Sequence, residues 1–173
     1  MNADADWRAR PLSELVQHIL QTHHAFTRTA FARLRTPLAE TLAADGGANA
    51  ELALVERMFG ELQDELFPHL MKEENILFPY IEELDGAGVP MAPFGTVAMP
   101  VQMMKRDHER DGAVLDALCE VTRNFTPPSG ASATHAALYD GLRELVADLR
   151  AHIELENDVL FPRAIEAERR KRT

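Results

Sequence analysis

Two segments of this chain repeat one phrase. HLMKEENILFP runs from His69 to Pro79 and HIELENDVLFP from His152 to Pro162, 83 residues apart. Both read His-x-x-x-Glu and then, at equal offsets, an aliphatic residue followed by Leu-Phe-Pro. On a helix, residues four apart share a face, with Cβ atoms about 5–6 Å apart. Each phrase therefore turns an imidazole and a carboxylate toward the same space. The apolar residues around them turn that face toward a core. A buried carboxylate needs a cation and a buried imidazole needs a partner. A chain that carries this burden twice has to bring the two helical faces together around something that satisfies both.

The rest of the sequence supplies the helices for this. Apolar residues recur with helical period over four segments: about Leu12 to Ala44, about Asn49 to Leu84, about Pro100 to Asn124 and about Ser132 to Arg170. Leu12, Leu15, Val16, Ile19 and Leu20 mark one face of the first, with Ser13 a candidate cap. Leu52, Val55, Phe59, Leu62, Leu66 and Leu70 mark the second. Asp45-Gly46-Gly47, the stretch Asp85 to Thr96 and Thr126-Pro127-Pro128-Ser129-Gly130 read as turns and loops. Pro37, Pro68, Pro79 and Pro162 fall inside helical patterns, where bends or interruptions are expected. Alternating strand patterns are almost absent. The expected fold is all-α, an up-down-up-down four-helix bundle in which sequence neighbours pack antiparallel. No linker is long enough to argue for a second domain, so residues 1–173 are expected to form one.

If the chain is a duplicated helix pair, each half should add a ligand upstream of its phrase. His24 lies 45 residues before His69, and His108 lies 44 before His152. The candidate set is then His24, His69, Glu73, His108, His152 and Glu156. Four imidazoles and two carboxylates form an inventory for two metal ions in a bundle core. The single cysteine, Cys119, excludes a tetrathiolate zinc site, cysteine-ligated iron–sulfur clusters and any intrachain disulfide. Imidazole with carboxylate suits iron, zinc or manganese.

These residues and their surroundings resemble a known family. LVQHILQTHH with Arg28, HLMKEENILFP, MMKRDHERDG, FTPPSGA and LYDGLRELVADLRAHIELENDVLFPRA are similar to the hemerythrin-like domain of the bacterial repair-of-iron-centres (RIC) proteins. The resemblance covers about Leu12 to Ala164. It implies that the six residues are iron ligands, with Glu73 and Glu156 bridging an oxo- or hydroxo-bridged di-iron centre. It implies a role in repairing iron–sulfur clusters damaged by nitric oxide or oxidants, by donating iron or by processing nitric oxide. Damaged iron–sulfur proteins, or a scaffold, are the partners it implies. The small N-terminal cysteine-bearing domain usual in the family is not expected in this chain. A hemerythrin-like module that binds oxygen or nitric oxide without turnover is the alternative. Where oxygen-carrying hemerythrins are expected to place a further His, four residues after His108, this chain has Gly112. The smaller ligand count leaves room for open metal positions.

Several further expectations concern single residues. His23 should face a neighbouring groove and His18 the surface. His135 is expected to be exposed. Glu65 and Asp107 either orient a ligand imidazole or are solvated. Met99, Met103 and Met104 are expected to fill core gaps, and Cys119 to pack as a small core residue. Tyr80 and Tyr139 are candidates to approach the site.

Charge and hydropathy exclude other classes. A net charge of −10 argues against a general nucleic-acid or anionic-membrane binder. The basic end, Arg169-Arg170-Lys171-Arg172, reads as the favourable close of a helix. No stretch approaches the roughly 18 apolar residues of a spanning helix, and the first twenty residues lack the shape of a signal peptide. A cytoplasmic protein is expected.

Overall fold

The computed structural model describes residues 6–44, 49–91 and 93–173. Four long helices account for most of them: α1, residues 12–44; α2, residues 50–83; α3, Ala98–Val121; and α4, residues 133–172. There is no strand among the described residues. The turn expected at Asp45-Gly46-Gly47 lies outside them. No helix among them is long and apolar enough to cross a membrane.

The helices alternate in direction, as the periodicity predicts. Along α1 and α2, Gln17 bonds Glu82, Arg28 bonds Glu74 and Arg35 bonds Gln63. Numbers rise on one helix as they fall on the other. Arg33 to Glu144 and His23 to Asp148 run the same way between α1 and α4. Where α1 and α4 cross, the backbones come close at Gly141. A Cβ there would lie 2.5 Å from Leu34 Cδ2.

The caps differ in part from expectation. Ser13 does not cap α1. Its backbone N–H and that of Leu12 instead donate to Asp85, which sits just beyond the end of α2. Leu12 and Ser13 open the helix, so their free N–H groups take a carboxylate from the neighbouring chain end. Ser132 caps α4 through the N–H of His135, and Asn49 caps α2. After α3 the chain reverses through three residues in the left-handed region, Arg123, Asn124 and Phe125. Burial of Phe125 and the bond from Arg143 to its carbonyl hold this costly turn.

The prolines do not interrupt the helices. Pro37 and Pro68 lie within continuous α-helix. Pro79 and Pro162 each follow a five-residue π-helical turn, Glu73–Leu77 in α2 and Glu156–Leu160 in α4. A third π-turn, Leu20–His24, lies in α1. A proline cannot donate to the preceding turn and its ring crowds the carbonyl there. The wider π-turn absorbs that conflict and lets the helix run on. In α4, the Phe161 N–H reaches back to Glu156, so the carbonyl of Asn157 is left without a helical donor. Lys105 Nζ lies 3.4 Å from it.

The core falls into two clusters. One holds Phe31, Phe59, Leu62, Leu70, Leu142 and Tyr139 among others. The second holds Leu15, Ile19, Leu77, Phe78, Leu160 and Phe161 among others. A layer of buried polar side chains lies between them. Of the methionines expected to fill gaps, only Met104 is buried, while Met99 and Met103 are more than half exposed. Helical period puts Met104 on the inner stripe with Val101 and His108, and its two neighbours fall outside that stripe.

Candidate metal centre

The polar layer contains all six residues singled out by the repeat. His24 comes from α1, His69 and Glu73 from α2, His108 from α3, and His152 and Glu156 from α4. None is more than 3% exposed. All three π-turns adjoin these residues: one ends at His24, and the others begin at Glu73 and Glu156. The His-x-x-x-Glu spacing stays α-helical. The register changes only after each glutamate, and this turns Leu77, Phe78, Leu160 and Phe161 into the apolar layer beneath the site.

The carboxylates lie between the imidazoles. Glu73 Oε2 is 3.5 Å from His24 Nε2, and Glu73 Oε1 is 3.3 Å from His69 Nε2. Glu156 Oε1 is 3.0 Å from His152 Nε2, and Glu156 Oε2 is 3.2 Å from His108 Nε2. Two compact groups result, one of His24, Glu73, His152 and Glu156, the other of His69, Glu73, His108 and Glu156. Within each group the potential ligand atoms all lie within 4.8 Å of one another. Each group draws on three of the four helices, and both use both glutamates.

The polar atoms facing the centre are under-satisfied. His24 Nε2, both oxygens of Glu73 and Glu156 Oε2 are buried without a hydrogen-bond partner. Groups of this kind are costly unless something occupies the space between them. A cation with nitrogen and oxygen ligands fits that donor set.

Two of the outward nitrogens have hydrogen-bond partners. His24 Nδ1 is 2.8 Å from Glu74 Oε1, and Arg28 holds both oxygens of Glu74. His108 Nδ1 is 3.1 Å from Asn157 Oδ1. His69 Nδ1 faces Asp107 at 3.5 Å, too long for a good hydrogen bond, and Asp107 is held by Lys72 and Arg110. Such contacts fix which ring nitrogen faces inward. Of the two acids considered for this role, Asp107 faces the His69 ring as a charge without a close hydrogen bond, and Glu65 is exposed.

Electrostatics follow from burying two carboxylates among four imidazoles. Burial pushes His69 down, but the Glu73 carboxylate 3.3 Å away and the charges of Glu156 and Asp111 override it and raise it to about 9. His108 is also raised, by Glu156 against burial. Burial pushes Glu156 up, and the flanking His152 and His108 bring it well below the usual carboxylate range. Without metal, these raised values favour protons on His69 and His108 opposite the two carboxylates.

Two histidines depart from or refine expectation. His135 is buried, not exposed, edge-on to Tyr139 at 4.5 Å. It stands one turn before Tyr139 on the inner face of α4. His23 is buried too. It bonds Asp148 at 2.9 Å and stacks parallel on His152 at 5.4 Å. Tyr80 and Tyr139 stay in the apolar clusters, bonded to Glu168 and Glu51. Cys119 is half-buried against the core. Sequence reasoning missed Asp111. Its carboxyl lines a space of about 10 Å3 with His69, His108, His152 and aliphatic side chains, close to the smallest that holds one water-sized molecule. Burial raises its pKa against the charges of His69 and His108. The available signal was its place one turn after His108.

Residues 15–164 match the hemerythrin HHE cation binding domain. The chain belongs to the hemerythrin HHE family. Within that family it is 37% identical over 169 residues to the iron-sulfur cluster repair protein YtfE of Cronobacter sakazakii, covering 96% of this chain and 72% of the relative. It is 36% identical over 166 residues to the protein of the same name from Escherichia coli O157:H7. The Salmonella typhimurium protein of that name is 37% identical over 167 residues. These two matches each cover 95% of this chain and 71% of the relative. The HHE match runs through all six candidate ligands and all three π-turns.

Proposed function

We propose that this hemerythrin-family chain binds two iron ions and serves the repair of iron–sulfur clusters damaged by nitric oxide or oxidants. One ion would be held by His24 and His152, the other by His69 and His108, with Glu73 and Glu156 bridging both. The observation that carries this reading is the pair of overlapping groups that share both carboxylates. Orphaned inward atoms and the relatives named for cluster repair support it. Bound there, the irons would supply redox and small-ligand chemistry, or iron itself, to a damaged cluster.

The chain's own residues prepare the site for this. Glu74 and Asn157 hold His24 and His108 with Nε2 inward, and Arg28 keeps Glu74 ionised. Phe78 and Phe161 lie against His24 and His108 and keep bulk water out from below. Iron–sulfur proteins are the proposed partners, one domain the proposed organisation and the cytoplasm the proposed compartment.

Metal content tests the foundation: about two irons per chain are expected from protein prepared without chelators, and zinc or manganese in their place would overturn the iron assignment. Function is tested by protection of a nitrosylated iron–sulfur enzyme. A His69→Ala/His152→Ala variant is expected to lose it, and full protection by that variant would remove the repair reading. The small space lined by His69, His108, His152 and Asp111 favours a second reading, capture of oxygen or nitric oxide without turnover. Stopped-flow mixing with nitric oxide separates the two. Reversible stoichiometric spectral change, with neither repair nor nitrous oxide, supports capture alone.

A further inference from the structure

All six candidate ligands are enclosed, so any electron reaching them has to cross protein. Three ring contacts lead outward from ligand imidazoles to rings that are not ligands. Phe78 against His24 and Phe161 against His108 are both buried dead ends, since neither touches another ring outside the ligands among the described residues. The third continues. His152 stacks on His23 at 5.4 Å with planes 5° apart. His23 meets His18 edge-on at 5.9 Å. His18 stacks on Trp7 at 4.4 Å. Trp7 and His18 are partly exposed and line a surface cleft of about 360 Å3 with Arg10 and Glu14.

This row of rings is held in place by polar bonds. His23 is fixed by Asp148, and His18 Nδ1 lies 3.2 Å from Thr22 Oγ1. Arg10 lies over the outer face of Trp7 at 5.3 Å, and Arg163 holds the backbone carbonyl of Trp7. A residue that merely sealed the bundle end would not need a succession of histidines behind it.

We propose that Trp7, His18 and His23 form the electron-entry route to the metal centre, fed by a one-electron donor such as a reduced flavin seated against Trp7. This rests on the di-iron reading above. The donor loses one electron, which crosses the rings to His152 and ends on a ferric ion, reducing it to ferrous. A flavin hydroquinone becomes the semiquinone and releases one proton to solvent. No other bond is made or broken.

The test uses the intact iron-loaded protein, oxidised and mixed anaerobically with reduced flavin mononucleotide. Visible absorption reports the reduction rate. Iron content, spectrum and midpoint potential are measured alongside. Because Trp7→Leu removes the ring stacked on His18 and the donor's flat seat with it, it is expected to slow reduction roughly tenfold or more, with Trp7→Phe restoring much of the rate. His18→Leu should act alike, and Trp7→Leu alone suffices if that variant fails to fold. Equal rates in wild type and Trp7→Leu, at equal iron content and potential, would overturn the route. Wild-type protein without iron would instead sink the di-iron reading.

Discussion

At the scale of single residues, the site leaves some inward atoms unpaired, His24 Nε2 and both Glu73 oxygens among them, and pairs the outward nitrogens of His24 and His108. Glu74 illustrates the second half. It joins His24 to Arg28 and touches no candidate metal position. Glu74→Ala is expected to keep the fold but weaken metal binding by about 10- to 100-fold, measured by competition with a chelator of known affinity. His69 supplies a pH test. Its pKa in the metal-free fold is raised to about 9 from an ordinary 6.5. The protonated ring's contribution is complete below the unfolded value and is lost as pH rises through the folded one. Metal-free protein should therefore melt at lower temperature as pH climbs from 6.5 to 9, and metal-loaded protein should not follow that fall. The six candidate ligands were legible because a repeated polar phrase and the matched 45 and 44 spacings need no knowledge of packing. Asp111, His23 and His135 were not legible. Each is a lone polar residue whose burial depends on which face its helix turns inward.

At the scale of elements, four helices and their directions could be read from apolar periodicity, but the π-turns could not. Pro79 and Pro162 were the trace they left, at one offset after each glutamate, and proline alone reads as a break. Whether a helix breaks or widens is decided by the apolar residues that follow, which here have to return to the core. The cap on α1 was hidden for a different reason: Asp85 is 72 residues from Ser13, and no local pattern reports a contact of that separation. Asp85→Ala should cost about 1 kcal/mol in denaturant unfolding by leaving the first N–H groups of α1 without an acceptor. The close approach of α1 and α4 makes Gly141→Val a second test. Its added atoms would meet Leu34, which is 2% exposed. A loss of about 1–3 kcal/mol is expected from overpacking, with metal stoichiometry unchanged in the folded fraction.

At the scale of the whole molecule, the buried polar layer divides the apolar interior in two. Metal that binds only the folded chain raises its apparent stability by mass action. Anaerobic chelation should lower the melting temperature, and returning iron should raise it in proportion to the logarithm of excess free metal. The duplication read from the sequence and the grouping seen in the fold do not coincide. The first half, helices α1 and α2, carries His24, His69 and Glu73, and the second half carries His108, His152 and Glu156. Each four-residue group takes members from both halves. Residues 1–92 and 93–173, expressed apart, should each hold little metal, and expressed together they should recover the pair.

That interleaving also bears on how such a chain can arise. A single helix pair with one His-x-x-x-Glu phrase has two imidazoles and one carboxylate, half of what the centre uses. It completes a centre only by meeting a copy of itself across a two-fold axis. Fusing the copies would leave the chemistry unchanged and replace a concentration-dependent encounter with a tethered one. Each copy would then be free to diverge.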